Sequence, residues 1–139
     1  MSQPDPKPPP PVRDLAVLRR FHAFYSNCVH CGNAHITAAH LVGRGRGGDD
    51  HMGNLVPLCG SGSSGCHGAF DNGHTFIGDF GRRVTPTAVK ASVAYFIRSE
   101  AGDDHRKYLV GKLGSFGAES FVQKLEAEPR GRSGERGEL

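Results

Sequence analysis

CVHCGNAHITAAHLVGRGRGGDDHMGNLVPLCGSGSSGCHGAFDNGH, residues 28–74, contains all four cysteines and six of the eight histidines of a 139-residue chain. Cys28-x2-Cys31 and Cys59-x6-Cys66 are two thiol pairs separated by 27 residues. Loop-borne tetrahedral sites of four thiolates are assembled in this way, each turn giving two ligands. The first spacing is the common one, and the second is wider than the usual two to four residues. Zn2+ is the expected occupant, in a closed structural site with no open coordination position. Free buried cysteines, or two disulfides in one of three pairings, are the alternatives that spacing leaves open.

Between the pairs, the residue types set out a hairpin and a helix. Residues 27–34 form a turn that aims two thiols at one point. Residues 36–42 are short and apolar enough for a strand, and residues 43–50 are too rich in glycine for anything but a loop. Residues 54–58 read as the returning strand, with Pro57 favouring a sheet edge. A glycine and serine loop leads to Cys66, and a short helix follows until Gly73 stops it.

On the N-terminal side, Leu15, Leu18, Phe21 and Tyr25 recur at helical steps within residues 13–25. On the C-terminal side, Thr85 and Pro86 make a cap and first turn for a helix to about Ser99, striped with Val89, Val93, Phe96 and Ile97. Residues 103–113 and 115–126 read as two more helices separated by Gly114, the second carrying Phe121, Val122 and Leu125. These stripes are expected to be core. Residues 1–12, with six prolines among the first eleven, read as a solvated tether. Residues 127–139, almost wholly Glu, Arg, Gly, Ser and Pro, read as a tail. The folding part is one domain over residues 13–128.

Hydrophobic residues are 37% of the chain, with no Trp and 20 Gly, a lean core that an additional cross-link would support. No run approaches the roughly 20 apolar residues that span a bilayer, so no membrane role is expected. The start lacks the basic and then apolar segments of a signal peptide, which points to a cytoplasmic setting and away from disulfides. A net charge of +3 does not by itself indicate nucleic acid. Arg44 and Arg46, set among glycines, form a local cluster whose guanidinium and peptide N–H groups suit phosphate. His22, His51 and His105 carry no expected chemistry, and His30 and His35 flank the first thiol pair as hydrogen-bond donors to thiolates.

His40, the glycine-rich loop with Gly47 and Gly48, Asn54-Leu55-Val56-Pro57-Leu58-Cys59 and Cys66-His67 occur in order around both thiol pairs. This set resembles the HNH endonuclease family, especially its phage and bacterial members with an interleaved zinc knuckle. Tyr108-Leu109-Val110-Gly111-Lys112-Leu113-Gly114 is similar, more weakly, to the tails of the phage proteins. The resemblance implies an α+β fold, a ββα-metal finger with structural zinc flanked by helices. It implies a metal-dependent nuclease acting on DNA phosphodiester bonds, in a bacterium or phage-infected host. His40 is then the general base, since a neutral imidazole accepts a proton near pH 7. Asn54 organises the loop beside it or helps bind metal. His67 is a ligand of a catalytic Mg2+ or Mn2+, joined by Asp71, which lies one helical turn on and stands where relatives carry a histidine. Ala39 departs from the pattern, because the residue before the base often serves the metal; water or His35 would then complete the site. Packaging beside a phage terminase, other packaging or replication partners, restriction and homing are settings in which similar proteins occur. A zinc-stapled DNA-binding or assembly module with a degenerate metal site, and a protein-interaction adaptor without DNA affinity, are the competing expectations.

Overall fold

A computed structural model of the chain describes residues 13–127. The tether expected over residues 1–12 lies outside the described residues, as does the expected tail beyond Ala127. The described residues form a small α+β domain of four helices and two two-stranded antiparallel sheets, with a cluster of four cysteines.

Helix α1, Leu15–Phe24, starts at Asp14, whose carboxylate accepts the N–H groups of Ala16 and Val17 at 2.9 and 3.4 Å. Such a cap satisfies donors that have no partner inside the helix. Strands β1, Ile36–His40, and β2, Leu55–Cys59, pair with Ile36 opposite Cys59 and His40 opposite Leu55. Strand β1 ends two residues before the expected Val42. Leu41 and Val42 leave the ladder because Asn54 takes both of their N–H groups, through its carbonyl oxygen at 2.9 Å and its side chain at 2.8 Å. Helix α2, Gly65–Asn72, stops at Gly73, whose φ of 70° is left-handed.

A second hairpin, β3 Phe76–Ile77 with β4 Arg83–Val84, was not expected from the sequence. Strands of two residues are too short to show a period. Helix α3, Pro86–Arg98, begins as expected at Thr85, whose Oγ1 accepts the Ala88 N–H at 3.2 Å. Helix α4, Asp103–Glu126, is interrupted at Gly114, which makes it the two expected helices laid end to end.

The core lies where α3, α4 and α2 meet the first hairpin. Val89, Val93 and Ile97 of α3 are fully buried with Leu58, Ala69 and Leu109. Each large aliphatic side chain so buried contributes about 1.5–3 kcal/mol. His105 ties α4 to β2 by donating from Nε2 to the Leu55 carbonyl at 2.8 Å, and burial pushes its pKa down. No helix among the described residues is long and apolar enough to cross a membrane.

Candidate functional site

The turn after Cys28 closes when Gly32 adopts a φ of 79° and donates to the Cys28 carbonyl at 3.0 Å. That curl directs the backbone N–H groups of His30 and Cys31 onto Cys28 Sγ at 3.4 and 3.5 Å. The Cys66 N–H meets Cys59 Sγ at 3.5 Å in the same manner. All four sulfurs lie within 4.8 Å of one another, and none is in a disulfide. A tetrahedral zinc with bonds near 2.3 Å would space its sulfurs by roughly 3.8 Å. The donor set and spacing fit a metal ion such as zinc. Hydrogen bonding from Cys66 is the largest of the effects that bring the Cys28 thiol down to about 4, whereas burial pushes Cys31 up to about 11. Burial and crowding thus hold some of the four sulfurs as thiols, and ionising all of them requires a cation among them.

His30 serves this cluster with its backbone N–H; its ring Nδ1 instead lies 2.7 Å from Ser92 Oγ on α3. The His35 ring is exposed and makes no hydrogen bond among the described residues, so neither imidazole plays the thiolate-bonding part expected from the sequence.

His67 sits one residue after Cys66, inside the first turn of α2, so the thiol cluster fixes its position. Thr37 Oγ1 of β1 lies 2.8 Å from the Gly60 carbonyl oxygen and 2.5 Å from His67 Nδ1. His67 Nε2 faces Asp71 Oδ2 at 2.9 Å. A carboxylate only accepts, so an Nε2–H satisfies this contact in the absence of an ion, and a divalent cation would take the place of that proton between the same two atoms. Ala39 shares the Thr37 face of β1 by strand alternation and is fully buried. It supplies no third ligand. Among the described residues, the four cysteines are the sole group of three or more His, Cys, Asp or Glu side chains close enough to share an ion.

His40 ends β1, next to the glycine-rich loop. Its Nε2 donates to Asp50 Oδ1 at 2.9 Å, and its Nδ1 has no hydrogen-bond partner among the described residues. Asp50 is buried and also receives the Asp14 N–H at 2.9 Å and the Arg44 guanidinium at 3.3 Å. Burial opposes its ionisation, but the His40 and Asp14 hydrogen bonds and the Arg44 charge outweigh burial and hold its carboxyl below the usual range. Asn54 is fully buried, accepting the Val42 N–H and donating to the carbonyls of Val42 and Asp49 at 3.0 and 2.9 Å. Its amide closes the loop between the strands. His51 helps, since its Nδ1 accepts the Gly53 N–H at 2.9 Å in the turn before Asn54.

An open groove of about 620 Å³ brings His40, Arg44, Arg46 and Asp71 to one lining, with Phe70 beside them. His67, which is buried, reaches the groove through Asp71. Arg46 makes no ion pair among the described residues, while Arg44 is engaged by Asp50. Lys90 of α3, with Phe121 and Leu125 of α4, forms the other side.

Sequence reasoning missed Asp50, Thr37 and Lys90. Asp50 was visible only as one of two acids ending a glycine loop, and Thr37 only as a polar residue in an apolar strand. Lys90 gave no signal, being one charge beside a core stripe. No family model matches the chain, and no curated protein or solved structure shows significant similarity to it.

Proposed function

We propose that this chain is a metal-dependent DNA endonuclease of the HNH kind, built on the ββα unit of β1, β2 and α2. The observation that supports the proposal is that an Asp50-held imidazole, His40, shares one arginine-lined groove with Asp71, the partner of His67. His40 Nδ1 accepts the proton of the attacking water, and Asp50 holds the ring in the required tautomer and stabilises the imidazolium that forms. Mg2+ or Mn2+ held by His67 Nε2 and Asp71 would supply charge neutralisation at the phosphate oxygens. Arg44 and Arg46 position the DNA backbone. Asn54 keeps the loop closed, and zinc on the four cysteines fixes the start of α2.

The test is a supercoiled plasmid with Mg2+ or Mn2+. Wild-type protein is expected to nick it, and His40→Ala is expected to lose at least about 100-fold in rate, the low end for a general base, with its zinc content unchanged. A second function is favoured by the buried Ala39 and the two-ligand seat, namely a zinc-stapled DNA-binding module without catalysis. Wild type that shifts DNA in a gel yet never cuts it, whichever divalent metal is added, would support that alternative.

A further inference from the structure

The turn of the second hairpin has an unusual residue at its apex. Gly78 donates to the Arg82 carbonyl at 2.6 Å and Arg82 to the Asp79 carbonyl at 3.2 Å, so Phe80 and Gly81 are the central pair. Both have left-handed backbone, with φ of 61° and 75°. Mirror-image turns of this type favour Asn, Asp or Gly at the first central position, because a Cβ is strained there. Phe80 is the sole non-glycine residue with positive φ among the described residues. Packing does not compensate, since the ring is fully exposed at 106%. A bulky aromatic in a strained conformation, exposed at the mouth of a cleft that it lines together with Cys31, Cys59 and Cys66, points to work outside the fold.

Its neighbours indicate what that work is. Arg82 and Arg83 follow directly, both exposed and without an ion pair among the described residues. Asp79 is the one acid on the hairpin, so two cations face one anion. Ile77 is the hairpin's other exposed large apolar side chain. One ring and one isoleucine are a narrow apolar feature, unlike the patch of several hundred Å² expected at protein interfaces. The hairpin borders the cysteine cluster along its length, since Phe76, Asp79, Phe80 and Arg82 line one cleft with Cys31 and Cys66.

We propose that residues 78–83 form a wedge for duplex DNA, in which Phe80 enters between adjacent base pairs while Arg82 and Arg83 hold the flanking phosphates. The proposal rests on the nuclease reading and deepens it by naming the substrate as a bendable duplex. Apolar wedges unstack the step they enter and kink the helix. Pyrimidine–purine steps yield most easily, so these steps are preferred beside the wedge.

The experiment uses full-length His40→Ala protein, which leaves DNA uncut, with a set of 20-base-pair duplexes carrying 2-aminopurine at successive positions. The parent is expected to raise fluorescence several-fold at one or two neighbouring positions, most at TA or CA steps. Adding Phe80→Gly keeps the backbone conformation and the zinc content and is expected to abolish the rise. Adding Arg82→Ala and Arg83→Ala is expected to lower the slope of log affinity against log salt by about 2, close to 0.9 for each phosphate no longer neutralised. Tight binding with no rise, or a rise that survives Phe80→Gly, overturns the wedge and leaves the nuclease standing. Absence of any duplex binding by the parent overturns both.

Discussion

A histidine in water exchanges between two tautomers, and His40 lacks that freedom because Asp50 takes its Nε2 proton in a hydrogen bond. Asp50→Asn keeps the volume but can donate to Nε2, which would put the ring proton on Nδ1 and disable His40 in the role of base proposed for it. The expected result is a fall in kcat of roughly 10–100-fold, as for other groups that orient a functional imidazole, with KM for DNA nearly unchanged. Stability has a matching signature. The folded carboxyl titrates below its unfolded value of about 3.9, so its contribution is complete above about pH 4 and is lost as pH falls through the folded value. Urea midpoints of wild type and Asp50→Asn should differ at pH 6 and converge as pH falls through the depressed folded value of the Asp50 carboxyl. His40 and His67 were legible in the sequence because they sit at fixed offsets from thiols and strand ends. Asp50 and Thr37 were not, because their roles depend on which oxygen of a distant turn reaches which ring nitrogen.

At the scale of elements, the first hairpin and the loop it carries depend on one buried amide. Asn54→Ala would strand the Val42 N–H and the carbonyls of Val42 and Asp49. Unpaired buried groups cost about 1–3 kcal/mol each, and a loss of roughly 3 kcal/mol is expected in denaturant titrations, with zinc content retained. Gly48 constrains the same loop, since a Cβ there would lie 1.7 Å from the Val42 carbonyl oxygen. The loop is braced at both acids, Asp49 by Tyr108 and Lys112 at 2.8 and 3.1 Å and Asp50 by His40 and Arg44. Helices α1, α3 and α4 were legible because caps and stripes span several turns. The second hairpin was not, since its strands have two residues each and its turn carries Phe where turn chemistry would place Asn or Gly.

For the whole molecule, the thiolate cluster joins the first turn, β2 and α2 across a core with few large side chains. Structural zinc contributes an apparent binding free energy on the order of 10 kcal/mol, comparable to the entire stability of an ordinary domain. With zinc on the four cysteines as proposed, a chelator should therefore collapse the far-ultraviolet circular dichroism, and added zinc should restore it. A fold that survives without metal would show that the helices alone suffice. The thiol cluster was expected from cysteine spacing and the helices from their stripes, whereas the α+β class was expected from the family resemblance. The groove was not, because it forms only where α3 and α4 cross the finger.

The two walls of that groove are made differently. Beyond the break at Gly114, the half of α4 that carries Phe121 and Leu125 is anchored by two small buried side chains, Ala118 and Val122. It is also gripped from α3, where Arg98 reaches Glu119 and Glu126 at 2.8 and 2.5 Å on the exposed surface. Charge pairs of that sort weaken as electrolyte accumulates around them. The side bearing His40 is backed by sheet and buried hydrogen bonds, so it is the opposite jaw whose grip ionic strength governs.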